Sequence, residues 1–426
     1  MLPSTQARKA CTPQTQLCHP ATEPESPELP LAYSSNLHAA ENIPALIHAV
    51  ETFSAGVREA LAWPRLGLDL RLGSTMIHEL QDPAMCAGLR RALDAAGCDP
   101  FTFNAFPLRP FQAAVVKRNA YLPDWTSPER LDDTLRLIPL VAQLSDHHEI
   151  TVSTVPGTYR PLVAGSAAAT QVARALGRFA AAAARFERDH GRSVVLCLEP
   201  EPWCMLETSW DVAAFWTGPL AQDGLSACMA DLDQDGPAAR RALRTHLGIC
   251  FDTCHLSLAF EDQAAAALRM SRAGARIAKC QFSAAPEVRT PAADPDGVAA
   301  LAGLAEMRFM HQTAAASAAG SLSKVEDLDQ LQECLARLPN ARAVRSHFHI
   351  PVFLEPTPKG LSTTVADSLA GLAACRAEGC THLAVETYTW SILATSERDA
   401  RSGTILELKW LAHMLQSSGP AASRGG

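Results

Sequence analysis

Eight short apolar stretches recur along the chain, each closing on polar residues, and helical spacing separates most of them. The first runs from Leu29 to a turn carrying Asn36, His38 and Glu41, and a helix continues from there to about Leu61. Strands are then expected at Arg65–Leu72, Thr102–Pro107, Glu149–Thr154, Ser193–Pro202, Leu247–Phe251, Ala275–Ser283 and Thr381–Tyr388. Helices are expected at Asp82–Ala96, Arg130–Leu144, Ala167–His190, Asp211–Leu220, Pro237–Leu247 and Asp399–Leu415. Gly191 stands where the long Ala-rich helix should stop. The stretch Ser193–Leu198 is apolar at nearly every position, as a parallel strand covered by helices on its outer face should be.

Eight strands alternating with helices argue for an α/β fold, a parallel sheet closed into a (β/α)8 TIM barrel. At 426 residues the chain exceeds the usual size of that fold, with the surplus in connections after strands three, five and seven. The last of these contains a variable region, about 285–343, in which an Ala-rich helix and a second helix, Val325–Leu338, are expected. An extended run over Val344–Leu354 then presents His347 and His349 on one face. Residues 1–29 read as a flexible tail with an incidental Cys18-His19, 30–415 as one domain and 416–426 as a second tail.

Composition narrows the function. The hydrophobic fraction is 47% and the net charge −8, which describes a globular chain without general electrostatic attraction to nucleic acid or anionic membrane. No apolar run reaches the length of a transmembrane helix, and the N-terminus lacks the apolar core of a secretory signal. Thirteen cysteines, without CxxC or regular spacing, fit reduced thiols in a cytoplasm.

The candidate chemistry gathers at strand ends. In Leu247-Gly-Ile-Cys-Phe-Asp252-Thr-Cys-His255 a carboxylate closes a buried strand and an imidazole follows three residues later. Asp252 there could simply cap the next helix. However, Glu199, Gln281 and Glu386 fall at the same ends of other strands, and in a closed parallel barrel those ends meet at one mouth. Three converging carboxylates repel one another unless a cation lies between them. Their oxygens, with nitrogen from His255, His347 or His349, suit a divalent ion such as Mn, Co, Zn or Mg. Either His of the 347/349 pair could instead be a core residue bonded to backbone.

The GICFDTCH stretch resembles the strand-six motif of the xylose isomerase-like barrels, including their endonuclease IV branch. That resemblance implies metal binding by a Glu after strand five, an Asp and a His after strand six, a residue of strand seven and a Glu of strand eight. The matching positions are Glu199, Asp252, His255, Gln281 and Glu386. Gln281 replaces a His and offers a weaker, neutral oxygen, while His347-x-His349 resembles the D-x-H ligand pair of the endonuclease with His in place of Asp. Across residues 31–412 the blocks YSSNLHAAE, FNAFP, VKRNAYLPDWTSPERL, LEPEP, FDTCHLSLAFED, KCQFSAA, HFHIPVFLE, LSTT and VETYTW, taken together and in order, resemble the EboE family, whose members are called metabolite traffic proteins.

The family implies a place in a bacterial secondary-metabolite cluster beside an UbiA-like prenyltransferase and export components. It implies no known reaction. The expected ligand is a small metabolite at the metal, contacted by Asn36, His38, Asn104, His347 and His349. Glu199 and Glu386 would be base and acid in a metal-dependent isomerisation or epimerisation. Two alternatives are a carrier that holds the metabolite without turning it over and a hydrolase of the endonuclease IV kind.

Overall fold

The computed structural model describes residues 30–111, 113–163, 167–354, 356–357, 360–390 and 400–417. The expected tails over 1–29 and 418–426, with Cys18-His19, lie outside the described residues. Eight parallel strands close a barrel: β1 (Leu31–Ser34), β2 (Leu66–Arg71), β3 (Cys98–Asn104), β4 (Glu149–Thr154), β5 (Ser193–Leu198), β6 (Leu247–Asp252), β7 (Ile277–Phe282) and, last in the chain, β13 (His382–Val385). Between β7 and β13 lies a second, antiparallel sheet: β8 (Pro286–Arg289), β9 (Thr313–Ser317), β10 (Leu322–Val325), β11 (Ala341–Ser346) and β12 (Ser362–Thr363), in the order β10-β9-β11-β8-β12. The long connections after β3, β5 and β7 stand as expected.

Strand alternation sorts the side chains. Leu247, Ile249 and Phe251 of β6 join the large apolar core shared with the helices, while Cys250 packs with Val195, Cys197 and Ala278 in a separate cluster inside the barrel. Gly67 is required by a close approach, since a Cβ there would meet the Leu31 carbonyl oxygen at 2.3 Å. The helix Ala168–His190 ends as expected, with Gly191 at φ +69°. The β6–β7 register shifts by one residue at Ala278, a bulge that turns Lys279 and Gln281 inward.

Lys279 crosses the interior. Its Nζ donates to Asp69 Oδ2 on β2 at 2.8 Å, to Ser153 Oγ on β4 at 3.0 Å and to the Phe103 carbonyl at 3.2 Å. Both members of this ion pair are fully buried. An ion pair at the axis is an unusual filling for a barrel whose interior layers are more often branched and apolar.

Two expectations are corrected. The variable region is largely sheet: its helices shrink to Pro295–Ala302 and Leu331–Arg337, and the Ala-rich Thr313–Ser317 is a strand. This strand is buried between β10 and β11, so pairing and burial override the helical propensity of alanine. The last helix runs Ala400–Ser417, two residues past its expected end. The sheet has its own core around Val288, Val344 and Phe348, and it rejoins the barrel mouth where Ala284 and Ile350 exchange backbone hydrogen bonds of 3.1 and 2.8 Å.

Removing one partner of the buried pair leaves the other charge without compensation. Lys279→Met should lower the unfolding free energy by about 3–5 kcal/mol, and adding Asp69→Leu should restore most of it. Urea unfolding measures both, and a single variant as stable as the parent would contradict the assignment.

Candidate functional site

Glu199, Asp252 and Glu386 come to the mouth from three strand ends and are each at most 3% exposed. Asp252 is positioned by its own helix: Oδ1 caps Thr253–Leu258 by accepting from the Cys254 and His255 amides at 2.7 and 3.0 Å. The capping and ligand readings of this residue are therefore compatible, because the other oxygen, Oδ2, is buried with no hydrogen-bond partner. Glu199 Oε2 is likewise buried and unpartnered. One oxygen from each of the three carboxylates lies within 4.8 Å of the other two. Burial first, and then the neighbouring carboxylates, pushes Glu199 and Glu386 well above the usual range, and burial raises Asp252.

Glu386 is held in place by donors. Asn36 Nδ2 reaches Oε1 at 2.7 Å, Ser34 Oγ at 3.4 Å and Asn104 Nδ2 at 3.5 Å, and Gln281 Nε2 bonds Oε2. The Gln281 oxygen accepts from the Cys250 thiol, so this amide stands behind Glu386 with its donor side forward.

Beside the carboxylates stand three imidazoles. His255 Nε2 and His347 Nε2 are 3.0 Å apart, and His347 Nε2 and His349 Nε2 are 2.9 Å apart. Nδ1 faces a carbonyl oxygen on each ring, Pro200 O for His255 at 3.1 Å, Gln312 Oε1 for His347 at 2.7 Å and Glu386 O for His349 at 3.1 Å, and His349 Nδ1 also meets the Ser283 hydroxyl at 3.0 Å. A carbonyl only accepts, so these partners assign the proton to Nδ1 on His255 and His347 and leave lone pairs on their facing Nε2 atoms, whereas the Ser283 hydroxyl can donate to His349 Nδ1 as well as accept from it. No proton then remains between the facing nitrogens of His255 and His347. Burial holds His255 down to about 3 and His349 to about 4, and it lowers His347 well below the ordinary value with help from its neighbours, so the rings are neutral.

A further layer fixes this group. Gln312 on the second sheet donates from Nε2 to the Tyr121 hydroxyl at 2.6 Å, and that hydroxyl donates to Glu201 Oε1 at 2.8 Å. Glu201 Oε2 is buried and unpartnered, and one of its oxygens lies within 4.8 Å of ligand atoms of His255 and His347. Burial pushes its carboxyl up to about 8 against the bond from Tyr121. Glu201 sits in plain view in LEPEP, but Tyr121 and Gln312 give no sequence signal of their own.

The sequence-predicted residues divide as follows. Glu199, Asp252, His255, Gln281, Asn36, Asn104, His347, His349 and Glu386 converge, although Asp252 and Gln281 do not reach the cavity wall. His38 does not join them. The 3-10 turn Ser35–Leu37 carries it past the mouth, where it bonds the Tyr33 hydroxyl at 3.1 Å and packs edge-on against Phe53 at 4.7 Å. The cavity above the cluster holds about 60 Å³ and is walled by Phe106, Phe111, Phe309, Met310, Tyr121 and Tyr388.

These donor sets fit divalent cations. Buried carboxylates with unpartnered oxygens suit hard ions, and imidazole nitrogens with fixed tautomers suit zinc or cobalt.

No protein-family model matches the chain, and no curated protein matches it. Among solved structures, the chain is similar to the IOLI protein with a binding zinc atom, at 7% identity over 92% of this chain and 100% of that one, with a TM-score of 0.45. It is similar to 3-keto-D-glucoside 4-epimerase, YcjR, from E. coli, at 12% identity over 92% and 100%, TM-score 0.41. It is also similar to a xylose isomerase domain protein from Planctomyces limnophilus, at 11% identity over 93% and 99%, TM-score 0.46. Likeness at this level concerns architecture and carries no activity with it.

His38 supplies a pH test separate from the cluster. Burial lowers it from 6.5 to about 4, so between those values the unfolded chain binds the extra proton and stability falls as pH falls. Unfolding by urea from pH 7 down to 4 should show a shallower decline for His38→Gln than for the parent; equal slopes would contradict a buried neutral His38.

Proposed function

We propose that the chain is a metal-dependent protein acting on a small oxygenated metabolite, with isomerisation or epimerisation as its reaction. The observation that carries this reading is the meeting of His255, His347 and His349 through Nε2 atoms at 2.9 and 3.0 Å, with no proton between His255 and His347, beside three buried carboxylates. Glu199, Asp252 and Glu386 would hold one divalent ion, and the three imidazoles with Glu201 a second. Bound there, such ions polarise substrate oxygens and acidify the C–H beside a carbonyl.

The protein's own residues then divide the work. Glu199, whose Oε2 has no partner, is placed to take a proton from the substrate and return it to the neighbouring carbon, which leaves the reaction redox-neutral. Asn36, Asn104 and Gln281 keep Glu386 in a single orientation. The aromatic wall excludes water, which would otherwise compete for the same protons.

A second reading is favoured by Glu386 itself. With donors on both its oxygens it is poorly placed to serve as a proton carrier, so a carrier protein that binds the metabolite without turning it over also accounts for the cluster. The sequence resemblance to the EboE family supports either as a step in metabolite handling within a secondary-metabolite cluster, in the cytoplasm and in functional association with an UbiA-like prenyltransferase. That part rests on the motif blocks alone. No helix among the described residues is long and apolar enough to cross a membrane.

Protein purified without chelators should carry about two divalent ions per chain, as two clustered donor sets imply. Asp252→Asn and His347→Ala should each remove about one. Solvent deuterium should enter a bound hydroxyketone when followed by NMR in D₂O, and Glu199→Gln should stop this while the ion held by the imidazoles stays bound. Metal without exchange would favour the carrier, and no metal after incubation with Mn, Co or Zn would overturn both readings.

A further inference from the structure

The cavity changes character with depth. Its floor is the carboxylate and imidazole cluster, but its walls are Phe106, Phe111, Val116, Phe309, Met310 and Tyr388. Phe111, Val116 and Phe309 form an apolar cluster of their own, with Tyr388 packed against it. The rings of Phe111, Phe309 and Tyr388 meet with centroids 4.8 to 5.4 Å apart, and Tyr388 continues onto the His349 ring at 4.9 Å.

Most polar groups on the wall already have partners. Lys117 Nζ bonds Asp327 at 2.5 Å and the Glu306 carbonyl at 3.2 Å, and the Tyr121 hydroxyl lies between Glu201 and Gln312. A sugar carries an oxygen on every carbon, and most of those buried against this wall would lose water without gaining a partner.

Size points the same way. On a measure where one water takes about 10–15 Å³, the cavity holds roughly four to six waters. A larger ligand that reaches the floor meets the apolar surface of Phe111 and Phe309. An apolar body placed between them covers that surface, whereas a polyol leaves it wet.

Building on the metal-site reading above, we propose that the ligand is an amphipathic chelator, with an adjacent pair of oxygens at one end, as in an α-hydroxyketone, and a flat apolar body, rather than a free sugar. The oxygen pair meets the floor, and the body takes the place between Phe111, Phe309 and Tyr388. Aromatic faces and edges pack favourably against a flat unsaturated group.

The test compares three ligands with the same oxygen pair on cobalt-loaded protein: 2-hydroxyacetophenone, hydroxyacetone and D-xylulose. Titration calorimetry gives the affinities, and the visible cobalt spectrum reports that the metal site is filled. The aryl ketone should bind at least about tenfold more tightly than hydroxyacetone, as burial of a ring in an apolar pocket produces, and xylulose no more tightly than hydroxyacetone. Phe309→Ala should remove the aryl preference and keep the cobalt spectrum, and Phe111→Ala should repeat this result if Phe309→Ala does not fold. Xylulose binding as tightly as the aryl ketone, or no binding of any of the three to protein with an intact cobalt spectrum, would overturn the proposal. Absence of a cobalt spectrum would instead strike at the metal-site reading.

Discussion

Like groups buried face to face repel, and in a chamber with little water nothing screens them. At the mouth of this barrel three carboxylates and three neutral imidazoles point ligand atoms at one another, with several of those oxygens unpartnered. His255 and His347 each have the Nδ1 proton assigned by a carbonyl, so these two cannot relieve themselves by a hydrogen bond between their facing nitrogens. A protein free to minimise its own energy would place apolar residues here. The arrangement gains its sense from positive charge arriving from outside, and the second sheet, the Tyr121–Gln312 layer and the amides around Glu386 all serve to hold it ready.

The barrel below contributes a cation of its own. Lys279 is brought inward by a bulge in β7 and neutralised by Asp69, and its charge also lowers Glu199 and Glu386 against the burial that raises them. A single ammonium already paired with a carboxylate cannot balance three more. The interior therefore supports the site without satisfying it, which leaves chelation of a ligand's oxygens as an available outcome.

Much of this was legible in the chain. Parallel strands buried on both faces write themselves as apolar runs, so the eight barrel strands and their polar ends could be read, and with them Glu199, Asp252 and Glu386. The second sheet could not. Thr313–Ser317 is alanine-rich and looks helical until β10 and β11 are there to pair with it. Period-two alternation put His347 and His349 on one face, but nothing local says that His255, 92 positions earlier, meets them. Nothing in the sequence marks Lys279, because its bulge is a property of pairing, not of composition. His38 was misplaced by one short turn: a 3-10 segment does not keep the alternation of a strand, so Asn36 faces the mouth while His38 faces Tyr33.

The central claim, that the facing imidazoles are there to share a cation, is tested most directly by X-ray absorption on the zinc-loaded protein. The account predicts nitrogen and oxygen ligands at about 2.0–2.1 Å with the outer-shell scattering of several imidazoles, lost when His347 and His349 are both replaced by alanine. Zinc retained through gel filtration without imidazole scattering, or no zinc retained at all, would contradict it.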